Sequence, residues 1–162
     1  MLSRIRPLLA ACAALFVFGV MPATAGDVIL TIDGNVTGNT PIDMTIDDIE
    51  ALGSATIVTK TPWHESAVTF EGVPLATLLE KAGAKGQTLS VAALNNYRSE
   101  IPVSDLAEHG VILAYKQDGE YMPISDKGPL FVVYPFDADP ELNTEVYYTR
   151  SAWQVRSITV ED

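Results

Sequence analysis

The stretch Phe70-Glu71-Gly72-Val73-Pro74-Leu75-Ala76-Thr77-Leu78-Leu79 joins a predicted strand to a predicted helix. The strand, residues 67–70, is rich in Val, Thr and Phe and ends at the Glu-Gly pair. Pro74 suits the first turn of a helix, because its fixed φ is helical and its missing N–H would have no partner there. The three leucines then share one helical face, and Gly83 is the expected stop. The stretch therefore predicts a short helix packed against a sheet.

Strand patterns dominate the rest of the chain, with short helices between them. The other strands are predicted at residues 28–33, 55–61, 88–94, 111–116, 120–122, 130–135 and 153–160. Further helices are predicted at residues 45–52, with Thr45 as N-cap, and from the N-cap candidate Ser104 to Gly110. Strands and helices do not alternate regularly, which argues against a doubly wound sheet. The pattern predicts a single compact α+β domain with a mixed sheet.

Residues 1–25 have the composition of a secretory signal peptide. Two arginines precede an apolar core at residues 8–21, and the last three residues are small. The sequence therefore predicts a signal peptide that is cleaved after Ala25, followed by one domain at residues 26–162. Its expected location is periplasmic or secreted.

Cys12 is the only cysteine of the chain and falls inside this predicted signal. Residues 9–12 resemble a lipoprotein cleavage box, but apolar residues continue beyond them, so export without a lipid is predicted. After cleavage the protein would have no disulfide, no sulfur nucleophile and no thiolate ligand. No second apolar stretch is long enough to insert stably into a membrane.

The predicted mature chain is strongly acidic. Cleavage would leave eight of the ten Lys and Arg against all 21 Asp and Glu, so the net charge would change from −11 to −13. Such a surface repels nucleic acid and anionic lipid, and neither is an expected partner. A basic partner and a merely solvated surface both fit this charge.

Trp63 and His64 are candidate pocket residues. They could stack a flat ligand, with His64 as hydrogen-bond donor or metal ligand, or Trp63 could simply pack in the core with His64 in a surface loop. His109 ends a predicted helix, where it would interact with the helix dipole. A further set of aromatic and basic residues comprises Tyr97, Arg98, Tyr115, Tyr134, Tyr147, Tyr148, Arg150 and Trp153.

Acidic side chains at Asp137, Asp139 and Glu141 have a spacing that calcium ligands can have. The loop lacks the glycine of a tight calcium site and Pro140 interrupts it, so a solvated loop is favoured. Two histidines without cysteine give no zinc pattern, and no Ser-His-Asp pattern is present. The sequence therefore predicts no metal ligands and no catalytic residues.

The order of turn and strand signals resembles the oxidoreductase molybdopterin-binding domain family, with its sulfite-oxidase-type fold. The segments that carry this resemblance are Thr61-Pro62-Trp63, Phe70-Glu71-Gly72-Val73-Pro74-Leu75, Leu78-Leu79, Asn95-Asn96-Tyr97, Ile101-Pro102, Asp105-Leu106, Leu113-Ala114-Tyr115, Asp118-Gly119-Glu120, Gly128-Pro129-Leu130, Val133-Tyr134-Pro135 and Trp153. Each segment is weak alone, and the ordered set is what indicates the fold.

Two departures from the family pattern affect the expected cofactor. Members that carry molybdenum bind the metal through a cysteine just upstream of the Gly-Val-Pro-Leu segment, where this chain has Thr59-Lys60-Thr61-Pro62-Trp63. The family often has an arginine after Gly-Pro-Leu, where this chain has Phe131. A soft thiolate and cationic donors suit the metal and the cofactor phosphate. No cofactor is therefore predicted, and molybdopterin follows from the resemblance only.

The resemblance places Asn96, Tyr97 and Arg98 on a loop near the family's pocket. With Trp63 and His64 they are the predicted ligand-binding residues, for a small anionic or aromatic ligand with Arg98 as the cation. The predicted function is a non-catalytic accessory or sensory protein, with a membrane-bound signalling or redox protein as a candidate partner. The alternatives are a reduced oxidoreductase that holds molybdopterin without cysteine, and a plain interaction module.

Overall fold

The computed structural model describes residues 26–162, so the predicted signal peptide and Cys12 lie outside the described residues. The described part contains ten strands and four short α-helices. The strands are β1 (Leu30–Gly34), β2 (Ile42–Met44), β3 (Ala55–Thr59), β4 (Val68–Pro74), β5 (Thr88–Ala93), β6 (Arg98–Pro102), β7 (Ile112–Gln117), β8 (Glu120–Tyr121), β9 (Phe131–Val133) and β10 (Val155–Glu161). The helices are α1 (Ile46–Glu50), α2 (Leu75–Ala82), α3 (Val103–His109) and α4 (Glu145–Arg150).

The strands form two sheets. The first has the order β2-β1-β10-β5-β6, in which β1 and β10 are parallel and the other neighbours antiparallel. The second has the order β3-β4-β7-β8, with β9 also paired to β7, and is antiparallel. The prediction of an α+β domain with a mixed sheet is confirmed, although its strands divide between two sheets.

Strand alternation gives the second sheet two apolar faces. On β7, Leu113 faces the main core, which also takes side chains from the first sheet and from α2. Ile112 and Ala114 face a smaller cluster on the opposite side. Trp63 and Trp153, both partly exposed, pack against this smaller cluster and border the site described below.

The stretch around Gly72 behaves largely as its sequence predicts. α2 begins at Leu75 with Pro74 as its N-cap, one position before the expected first turn, because β4 continues through Pro74. The helix ends at Gly83, whose φ of 60° is left-handed and favours glycine. A Cβ at Gly72 would overlap the backbone of Leu113 and Ala114, so only glycine lets β4 approach β7 here.

Other predicted elements agree in part. Thr45 caps α1 as predicted, and Asp48 completes a reciprocal capping box with it. The prediction that Ser104 caps the next helix is wrong, because α3 already begins at Val103 with Pro102 in the cap position. β2, β6 and α4 have no counterpart among the predicted elements. None of the helices among residues 26–162 is both long and apolar enough to cross a membrane.

Candidate functional site

A cavity of about 200 Å³ lies where α4 meets the loops that follow β3 and β5. We call it the aromatic pocket and define it by its eight lining residues: Trp63, Asn95, Tyr97, Glu145, Tyr148, Thr149, Ser151 and Trp153. Four of the eight are aromatic, and Glu145 is the only one with a formal charge. The pocket is therefore mostly apolar, with a single carboxylate at its border.

The two tryptophans form adjoining walls of the aromatic pocket. Their ring centroids are 4.8 Å apart and their planes meet at 76°, so the two rings make a corner. Phe131, which is fully buried, packs edge-on against both. Trp153 is also held by a backbone bridge to Phe131, and the N–H of Trp63 donates to Thr61 Oγ1. These contacts fix the corner from below.

Tyr97 is attached to the end of α4. Its hydroxyl donates to the carbonyl oxygen of Thr149 at 2.7 Å, and Ser99 Oγ donates to the same oxygen at 2.7 Å. That oxygen lies in the last turn of α4, where backbone carbonyls lack helical partners. The Tyr97 backbone N–H donates to Asn95 Oδ1, which shapes the turn before β6. The hydroxyls of Tyr97 and Ser99 therefore anchor α4 beside the pocket.

The structure brings together only part of the predicted site. Trp63 and Tyr97 both line the aromatic pocket, but Asn96 and Arg98 do not. Asn96 occupies the turn with a φ of 66° and is not among the eight lining residues. Arg98 is exposed on β6 and lines a neighbouring groove together with Arg150. The predicted cation therefore belongs to a different surface from the tryptophan corner.

His64 lies outside the aromatic pocket as well. Its Nδ1 is 2.6 Å from Thr61 Oγ1, and its ring meets Phe70 edge-on at 5.6 Å. Its buried Nε2 makes no hydrogen bond of ordinary geometry, although the Gln117 side chain, whose buried Oε1 also lacks one, lies beside it. Burial, followed by the charge of Lys127, lowers the pKa of His64 below 6.5. This environment favours a neutral, structural imidazole.

The opposite side of α4 faces a buried polar cluster. Asp105, 5% exposed, accepts hydrogen bonds at 2.8 Å from the Tyr134 hydroxyl and from the Arg150 guanidinium. Burial, reinforced by the hydrogen bond to Asp105, raises the pKa of Tyr134 far above its ordinary value. His109 lies nearby, with its Nδ1 3.6 Å from Asp139 and its ring edge-on to Tyr147. We call Asp105, Tyr134 and Arg150 the buried triad.

The carboxylates of the acidic loop, residues 137–141, accept hydrogen bonds from backbone N–H groups. Asp137 accepts a hydrogen bond from the Lys60 N–H, and Asp139 accepts one from the N–H of Glu141. No group of three or more His, Cys, Asp or Glu side chains within residues 26–162 could hold a metal ion.

These features can be set beside known proteins. The chain belongs to the oxidoreductase molybdopterin binding domain family, whose model matches residues 19–138. Among solved structures, it resembles the sulfane dehydrogenase SoxCD from Paracoccus pantotrophus, with 20% sequence identity and a TM-score of 0.64. That alignment covers 89% of this chain and 40% of the SoxCD chain, so the likeness concerns the fold of one part of a longer protein. No curated protein matches the chain.

The residues present do not fit a molybdenum–pterin cofactor. Residues 26–162 contain no cysteine, and the hydroxyls upstream of the Gly-Val-Pro-Leu segment are engaged elsewhere. Thr59 Oγ1 accepts from the Asp137 N–H and donates to the Lys60 carbonyl, whereas Thr61 Oγ1 contacts His64. Phe131, at the position of the family's arginine, is buried under the tryptophan corner. No lysine or arginine is among the eight pocket residues to meet a phosphate.

Six of the eight lining residues were not predicted as members of the site: Asn95, Glu145, Tyr148, Thr149, Ser151 and Trp153. Trp153 and Tyr148 belong to the aromatic set noted in the sequence, but they lie 90 and 85 positions from Trp63. Glu145 gave no signal at all, because α4 itself was not predicted. The available sequence signal was the group of aromatic residues at positions 147, 148 and 153.

Proposed function

We propose that this chain is a non-catalytic member of the oxidoreductase molybdopterin binding domain family that binds a small ligand in the aromatic pocket. The single observation that carries the proposal is the pocket's set of side chains: four aromatic rings and one carboxylate, without a thiolate or a cation. Aromatic walls bind ligands by stacking and by burial of apolar surface. This set suits recognition better than metal-based electron transfer, which needs ligands to the metal.

The position of the pocket in the chain supports a role particular to this protein. Five of the eight lining residues, from Glu145 to Trp153, lie beyond residue 138, where the family match ends. The ligand is therefore proposed to be recognised largely by α4 and the segment after it.

An accessory or sensory role in the periplasm completes the proposal. Its support is the signal-like segment at residues 1–25 and the acidic charge of the remainder. A negative surface favours association with a basic face on its partner. The proposed partner is a membrane-bound signalling or redox protein. It would respond to whether a ligand occupies the aromatic pocket.

Metal and ligand content of the exported protein tests the proposal. The full chain is expressed with export in a molybdenum-replete host, and the secreted form is analysed for metals and by intact mass. We expect no stoichiometric molybdenum and a mass that begins at Gly26. A mass that matches a diacylated Cys12 would contradict export without lipid.

Ligand binding needs a separate measurement. Saturation-transfer NMR with a panel of small neutral aromatic fragments should detect binders that Trp153→Leu abolishes and Arg98→Ala leaves unchanged. Stoichiometric molybdenum together with turnover of an oxidisable substrate would instead establish the alternative, a reduced oxidoreductase that holds molybdopterin without cysteine.

A further inference from the structure

The electrostatic character of the aromatic pocket limits the class of ligand that it can bind. Aromatic faces carry partial negative charge and attract cations, and tryptophan does so most strongly. The pocket combines two tryptophans and two tyrosines with the Glu145 carboxylate. Every charged or quadrupolar feature of its lining therefore favours a positive group.

The nearest arginines do not compensate this charge. Arg150 does not line the aromatic pocket: its guanidinium bonds Asp105 at 2.8 Å and lies over the Tyr147 ring, and its side chain lines the neighbouring groove. Arg98 is exposed in the neighbouring groove. Within the described part of the chain, Glu145 makes no ion pair with either of them. An anionic ligand would meet Glu145 without a counter-charge.

The size of the pocket limits the ligand further. Pockets for drug-sized molecules usually measure about 300–1,000 Å³. This cavity is about 200 Å³, and the planes of the Trp63 and Trp153 rings that line it are nearly at right angles. A compact, rounded cation can contact both rings at once, whereas a flat ring can stack on only one.

We propose that the aromatic pocket binds the quaternary ammonium group of a small organic cation. Trp63, Trp153, Tyr97 and Tyr148 surround the methyl groups, and Glu145 supplies the long-range attraction. A quaternary ammonium has no N–H donors, so it needs no hydrogen-bond acceptor from the lining. The inference rests on the proposed function, because it names the ligand class for the same pocket.

The choice of probe isolates the charge. Choline and its neutral isostere 3,3-dimethylbutan-1-ol have nearly the same shape and differ in the positive charge. Both tryptophans of the chain line the pocket, so intrinsic fluorescence reports its occupancy directly. We expect a saturable fluorescence change with choline, and a Kd for the isostere at least about tenfold higher, which corresponds to about 1.4 kcal/mol.

Matched variants locate the effect. Glu145→Gln keeps the shape of the side chain and should weaken choline binding about three- to tenfold while leaving the isostere unchanged. Glu80→Gln, on the exposed side of α2, removes the same charge outside the pocket and should change neither affinity. Trp63→Leu should abolish choline binding, and Trp63→Phe should retain part of it. Far-UV circular dichroism verifies that each variant is folded.

Two results would overturn the inference, and only the second would also reject the proposed function. Equal affinities for choline and the isostere would reject the cation and leave a ligand pocket in place. No saturable response to choline, together with no aromatic fragment bound in the NMR screen, would reject the proposed function as well.

Discussion

The two sides of α4 differ in how they treat polar groups. On one side the buried triad joins a carboxylate, a hydroxyl and a guanidinium at 2.8 Å in a closed set of hydrogen bonds. On the other side the aromatic pocket is open, and its one carboxylate makes no ion pair among residues 26–162. The comparison teaches that Arg150, which lies between the pocket residues Thr149 and Ser151 in the sequence, pairs with Asp105 and leaves the pocket negative.

The largest expected effect is the loss of the carboxylate from the triad. Asp105→Ala leaves a partly buried guanidinium and a buried hydroxyl without their acceptor, which should lower the free energy of unfolding by about 3–5 kcal/mol. Urea denaturation measures the change. Leu78→Ala, a fully buried site on α2, serves as a control that should lose about 2–5 kcal/mol through its cavity alone. A loss below about 1 kcal/mol for Asp105→Ala would mean that the triad is not a stabilising unit.

A single hydroxyl of the triad has a smaller effect. Tyr134→Phe removes one donor to a charged acceptor, while Arg150 still bonds Asp105. The expected loss is about 1.5–3 kcal/mol, again by urea denaturation. Tyr148→Phe is the matched change on the pocket side, where the hydroxyl reaches Asn143 only at 3.5 Å. If both variants lose the same free energy, the contrast between the two sides is not real.

The hydrogen bond from Tyr97 to the end of α4 should contribute less to stability than the buried triad and more to the shape of the aromatic pocket. Tyr97→Phe keeps the ring but removes the bond to the Thr149 carbonyl, which Ser99 still satisfies. We expect a loss of about 0.5–1 kcal/mol because the group is exposed and the acceptor keeps one donor. Choline binding, measured by tryptophan fluorescence, should persist. Complete loss of choline binding would contradict this expectation, because it would show that the pocket needs the Tyr97 hydroxyl to hold α4 in place.

The smallest effect concerns the imidazole next to Trp63. Because burial lowers the pKa of His64 below 6.5, the unfolded chain takes up the proton first as the pH falls. The free energy of unfolding should therefore be unaffected above pH 6.5, decrease below it, and level off once the pH is under the folded pKa. Urea denaturation of wild type and His64→Asn across this range gives the difference, and a pH-independent difference would contradict the assignment.

Local signals predicted the elements they directly encode. Thr45 predicted the start of α1, and the leucines after Pro74 with Gly83 predicted α2. β6 was missed because its inward positions are Ser99 and Ile101, so half of its alternation is hidden by a small polar residue. α4 was missed because it is six residues long, buries none of them fully and has no side-chain cap.

The site was harder to predict than the fold because its residues lie far apart in the sequence. Trp63 and Tyr97 were recognised as pocket residues, but their partner Trp153 joins them only through the packing of three separate segments. Arg98 was predicted as the site's cation because the family resemblance places it near the pocket, yet alternation on β6 turns it to the neighbouring groove. The engagement of Arg150 by Asp105, 45 positions away, cannot be read from either residue alone.

The central place of β10 in the first sheet has a consequence for how the domain is made. β10 lies between β1 and β5, so without it the sheet falls into two hairpin ribbons, β2-β1 and β5-β6. Two-stranded ribbons are marginally stable in water, and their open edges invite pairing with other chains. Closing strands so distant in sequence gives a high contact order and slow folding. The first sheet therefore cannot form as one unit until residues 155–161 are available to pair with β1 and β5.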